Sequence, residues 1–98
     1  MLSVEQLDEL ALTALDKKVP NFHKHLVINN AMLENERLFK AWRSEGRLED
    51  FPKIYQHYDI TKKWLDCLRS ILLHSQRGTQ STEVEREKMR AYSVILGA

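Results

Sequence analysis

Apolar positions in this chain recur at intervals of three and four residues and do not alternate over the length of a strand, a helical pattern from end to end. Leu7, Leu10, Ala11, Ala14 and Leu15 fall at i, i+3, i+4, i+7 and i+8, which predicts a first helix over 4–17. Ser3 followed by Gln6 fits a capping box, in which side chains and backbone at a helix start satisfy each other's orphan groups. Glu5, Asp8 and Glu9 in the first turns and Lys17 and Lys18 in the last complement the helix dipole. Pro20 biases Val19 away from helical backbone and is tolerated in a first turn, so a second helix is expected over 20–44. It carries Phe22, Leu26 and Leu33 on one stripe and Val27, Ala31, Leu38, Ala41 and Trp42 on an adjoining one, and two stripes imply two neighbours. Asn29-Asn30 is where it would bend or split, because asparagine competes for local backbone hydrogen bonds. Gly46 is read as the left-handed residue that ends it.

Asp50 is the expected N-cap of a short third helix of about two turns, with Pro52 in its first turn and Phe51, Ile54, Tyr55 and Tyr58 on its inner side. Asp59 is expected to cap a fourth over 60–76, where Ile60, Trp64, Cys67, Leu68, Ile71 and Leu72 line one face and Leu65 and Leu73 widen it. This is the most apolar helix and is expected to be central. Gly78 closes it, Arg77 through Ser81 read as a loop, and Thr82 with Glu85 offers a second capping box for a last helix over 83–96. There Val84, Ala91 and Ile95 form one stripe and Met89, Tyr92 and Leu96 another. The expected fold is all-α, a compact single domain of four to five helices. Its expected core is Leu7, Leu10, Leu15, Phe22, Leu26, Ile54, Trp64, Leu68, Ile71, Leu72 and Ile95.

Length and composition narrow the function classes. A chain of 98 residues has room for one domain and one core, but not for a core together with a deep cleft, which counts against an enzyme acting on a large substrate. Fifteen basic and fourteen acidic side chains leave a formal charge of +1, so no whole-molecule field draws it to nucleic acid or acidic lipid. Residues 1–50 carry seven basic and nine acidic side chains and residues 51–98 carry eight and five, a mild polarity along the chain. One cysteine, Cys67, permits no intrachain disulfide and suits a reducing, cytoplasmic setting. The N-terminus has no basic segment before an apolar run, and Ile71-Leu72-Leu73 is far short of the roughly 20 apolar residues of a membrane span, so neither a signal peptide nor a membrane anchor is expected.

Candidate chemistry is sparse. His23 and His25 would share a face on a strand but point about 200° apart on a helix, which does not make a metal pair. Cys67 and His74 share a helical face, yet seven residues of rise separate them by roughly 10 Å, against zinc bonds of roughly 2.0–2.3 Å. Cys67 among leucines and beside Asp66 reads as a packed, inert thiol. Glu36 with Lys40 and Asp59 with Lys63 look like surface ion pairs, and no acidic pair has the spacing of a catalytic dyad. With no nucleophile elbow, phosphate loop, HExxH or CxxC pattern, no catalytic residue, metal or cofactor is expected.

Two features bear on function. The first is an apparent surplus of apolar surface, which predicts a non-catalytic regulator, inhibitor or adaptor that binds another protein through Phe39, Trp42, Arg43, Leu73 and Arg77, exposed aromatics and arginines being the usual hot-spot residues. The second is the interleaving of basic and aromatic residues from Lys53 to Trp64. Two short helices joined at Asp59 would resemble a helix-turn-helix, giving an alternative in which Lys53, Thr61, Lys62, Lys63 and Arg69 contact nucleic acid. A homodimeric structural protein is a third class.

Overall fold

The computed structural model describes residues 1–78 and 82–97. Four α-helices, α1 (Val4–Leu15), α2 (Asn21–Glu45), α3 (Phe51–Arg77) and α4 (Glu83–Gly97), follow one another with no strand among the described residues, and a single 3-10 turn (Leu48–Asp50) leads into α3. No described helix is long and apolar enough to cross a membrane.

The start of α1 is as its sequence requires. Gln6 N–H donates to Ser3 Oγ at 3.1 Å, and Ser3 N–H donates to Gln6 Oε1 at 2.8 Å. Its end comes two residues early, at Leu15. Asp16 leaves helical backbone and its carboxylate accepts Lys18 N–H at 2.9 Å, so Lys17 and Lys18 lie beyond the last turn.

The second helix runs unbroken through Asn29-Asn30. Asn29 turns its side chain away from its own backbone and accepts Arg69 Nη2 at 2.6 Å, which removes the competition that would split the helix. Pro20 caps this helix from just outside it, in extended backbone. Gly46 is extended too (φ −77°, ψ 161°), not left-handed. Trp42's indole lies against Gly46 where a Cβ would be, so close approach is what requires glycine here.

The short helix expected after Asp50 and the one expected over 60–76 are one. Asp59 does not cap a new helix; its carboxylate sits 3.0 Å from Lys63 Nζ, one turn along the same helix. With no glycine or proline between Lys53 and Arg77, nothing breaks the backbone ladder. Pro52 occupies the first turn as expected, Asp50 precedes the helix without a side-chain cap bond, and Gly78 ends it in the left-handed region at φ 67°. Of the expected 77–81 loop, residues 79–81 lie outside the described residues.

Helix α3 touches each of the other three, most extensively α4 and then α2. Its apolar stripe forms the axis of the core: Trp64, Leu65, Leu68, Ile71 and Leu72, joined by Leu2, Leu7 and Ala14 from the N-terminal segment, Ile28 from α2 and Met89 from α4. Leu7, Trp64, Leu68, Ile71 and Leu72 are buried as expected; Leu10 packs against the core and Ile54 is half-buried. Ile54 lies outside that core, and four further expected core residues are exposed: Phe22 (78%), Leu26 (42%), Leu15 (37%) and Ile95 (45%). The Phe22–Leu26–Leu33 stripe of α2 faces water, because the helices that pack on α2 cover only its other side. The molecule is long, 45 × 24 × 19 Å, with a radius of gyration of 14.3 Å against about 13 Å for an isometric chain of this size.

Candidate functional site

The end of the bundle where α2 turns into α3 holds a second apolar centre, separate from the main core. Phe39 and Trp42 lie at i, i+3 on the last turns of α2, and Phe51, Tyr55 and Tyr58 lie at i, i+4, i+7 on the first turns of α3, so each set forms one stripe. The short 46–50 connection folds these stripes together. Phe39 is the hub: its ring stacks on Tyr58 (centroids 4.3 Å, planes 16° apart), meets Tyr55 edge-on at 6.0 Å, and neighbours Trp42 and Phe51 at 6.5 and 6.3 Å. Trp42 and Phe51 are 6.0 Å apart, and Phe51 and Tyr55 5.8 Å.

Polar groups fix the inner edge of this cluster. Tyr58 O–H donates to the Glu36 carboxylate, and that bond together with burial pushes the phenol up to about 12. Asn35, buried at 1% exposure, donates Nδ2–H to the Tyr58 carbonyl at 3.3 Å. The outer edge is open: Phe51 is 37% exposed, Tyr55 48% and Leu48, in the connecting turn, 88%. Lys40, Arg43, Arg47 and Lys53 are exposed around this edge and form no ion pair among the described residues, with Glu45, Glu49 and Asp50 interspersed. The rings pack on one another and stay partly open to water at this edge, with side chains of both charges around them.

The residues expected to form a single contact surface are split. Phe39 is 7% exposed, because the aromatic rings of α3 close over it, so it supports the surface from beneath. Trp42 is half-buried on Gly46, and Arg43 is exposed at this end. Leu73 and Arg77 sit at the opposite end of α3, roughly 30 Å away at 1.5 Å per residue, and cannot share a contact with Trp42 and Arg43. The exposed apolar side chains at the Trp42 end are Leu48, Phe51 and Tyr55. Sequence reasoning put Phe51 and Tyr55 inside; the available signal was an aromatic i, i+4, i+7 stripe directly across a five-residue turn from an aromatic i, i+3 pair.

The residues of the nucleic-acid alternative do not converge either. A helix-turn-helix needs a turn at Asp59, and α3 is continuous there. Thr61 is fully buried, its hydroxyl 3.4 Å from His57 Nδ1. Lys63 is paired with Asp59, and Arg69 is half-buried and bonded to Asn29 and Met32 Sδ. Lys53 and Lys62 are exposed, but nine residues of helix turn them about 180° apart.

Cys67 is half-buried and its thiol is pushed up by that burial. His74 Nδ1 lies 3.7 Å from Glu85 Oε1 across the α3–α4 seam, and His25 Nε2 lies 3.3 Å from Gln76 Oε1. Among the described residues, no three His, Cys, Asp or Glu side chains gather as metal ligands. No family model matches the chain, and no curated protein or solved structure is significantly similar to it.

Proposed function

We propose that this chain is a non-catalytic protein-binding module, a small regulator, inhibitor or adaptor, and that it engages its partner through the tip of the α2–α3 hairpin. The observation that carries this reading is the aromatic cluster itself: Phe39 is excluded from the main core, and Phe51, Tyr55 and Leu48 remain exposed around it. Apolar area left open beside unpaired arginines is the composition of interface hot spots, and the stacked rings lose little freedom when a partner covers them. Arg43 and Arg47 at the rim favour a partner whose groove carries carboxylates around an apolar floor.

The test compares capture from a nuclease-treated lysate of the source cells by the natural chain and by a Leu48→Asp, Arg43→Glu variant. Both residues are exposed, so the variant should keep its helical circular dichroism. The expected result is a protein retained by the natural chain and lost by the variant. Equal capture by both, or capture abolished by nuclease alone, overturns the reading.

A further inference from the structure

A second open surface lies on the other side of the molecule, between α1 and α4. The two helices run antiparallel: a Cβ at Gly97 would sit 3.9 Å from Val4 Cγ2 at one end, and Leu15 and Arg86 line the same groove toward the other. They stand apart over Trp64 and Ile71 of α3, leaving a groove of about 500 Å³. Its α1 wall carries Asp8, Ala11 and Leu15, and its α4 wall carries Arg86, Arg90 and Val94. Leu12, 74% exposed, is within about 60° of both Asp8 and Leu15 on the helix and extends the apolar strip outward, as does Val94, 73% exposed, on α4.

The charges on the two walls are opposite and unspent. Among the described residues, Asp8 and Arg90 have no ion-pair or hydrogen-bond partner, and Arg86 has one, Thr82 Oγ1, at 3.0 Å from its Nε. An acidic, apolar wall facing a basic, apolar wall is complementary to itself. A two-fold axis running along the groove lays each α1 on the partner's α4, antiparallel and near the same level, with Asp8 beside Arg90; an axis across the groove would lay α1 on α1 and α4 on α4, without that acid-to-base pairing. We infer that a second copy of this chain occupies the groove, in a symmetric dimer whose interface is α1 and α4 of both copies. Leu12, Leu15 and Val94 supply the apolar contact, and Asp8 with Arg86 and Arg90 sets the pairing. The hairpin tip is not part of this interface.

Sedimentation of the full chain from micromolar to millimolar concentration tests it. The natural chain should pass from 11.6 kDa to twice that mass. Asp8→Arg and, independently, Arg90→Glu should each weaken the dimer by at least about tenfold through like-charge contact, and Asp8→Arg combined with Arg86→Asp and Arg90→Asp should restore it. All three positions are exposed, and circular dichroism checks each variant's fold. A natural chain that stays at 11.6 kDa throughout, or a dimer indifferent to both single variants, overturns the inference. So does native mass spectrometry showing a monomer that holds another protein or a small apolar anion in its place.

Discussion

The indole of Trp42 lies where a side chain on Gly46 would begin. Gly46 therefore serves packing, and its backbone is one that any residue could adopt. Gly46→Ala should push the indole off its seat and loosen the hairpin tip, at a cost of about 1–3 kcal/mol, the range for overpacking. Denaturant melts and a red-shifted tryptophan emission would register the change; unaltered emission would show that the ring does not depend on this contact.

Tyr58 should titrate at higher pH than an ordinary tyrosine, because its hydroxyl donates to Glu36 and the neutral phenol is favoured in the fold. A folded-state value raised from 10.0 to about 12 contributes stability that is complete below pH 10 and lost as pH rises through 12. Phenolate absorbance against pH reads this directly. Glu36→Gln should bring the last tyrosine transition down toward the ordinary value and narrow the window of alkaline loss.

His57 is shifted the other way by burial, below the usual 6.5. The unfolded chain then takes up the proton more readily, so this residue's effect on stability is absent well above pH 6.5 and becomes a loss as pH falls through 6.5 toward the folded value. Proton NMR of the imidazole should show a midpoint under that of a histidine peptide. Replacement by Gln should flatten the acid side of the stability profile.

Trp64 is 2% exposed, and its indole N–H donates to Ser93 Oγ at 3.1 Å, tying the centre of α3 to α4. Ser93→Ala leaves a buried donor without a partner and should cost about 1–3 kcal/mol. In a Trp64→Phe background the same change should cost much less, and that non-additivity in paired denaturation curves measures the bond.

Cys67 should react slowly with alkylating reagents near neutral pH, since burial raises its thiol and reduces the thiolate fraction. Unfolding in denaturant should restore the rate of a free cysteine. Rapid modification of the folded chain would mean the thiol is more open than its packing beside the core indicates.

Much of the architecture could be read from local pattern. The capping box at Ser3 and Gln6, the helix end at Gly78 and the apolar stripe from Trp64 to Leu72 depend on residues within a few positions of one another, and all three are present. The residues of the proposed contact surface were only partly legible. Arg43 belongs to the exposed tip, but Leu73 and Arg77 lie at the far end of α3 and Phe39 lies beneath the rings of its neighbours.

What the sequence by itself determined is the all-helical class and where most of the helical segments lie, because periodicity, caps and breakers act over one or two turns; the break it placed at Asp59 is absent. Tertiary structure decided which stripes are buried: Phe22–Leu26–Leu33 and Ile28–Asn35–Phe39 both recur at helical spacing on α2, and only the position of α1 and α3 leaves the first in water and the second covered. It also decided that Asn29 accepts from Arg69 of α3 and does not compete for its own backbone, which leaves α2 unbroken. The physical reason is the same in both cases. A residue's own pattern states what it could bury or bond, and the partner that realises one of those options comes from elsewhere in the fold.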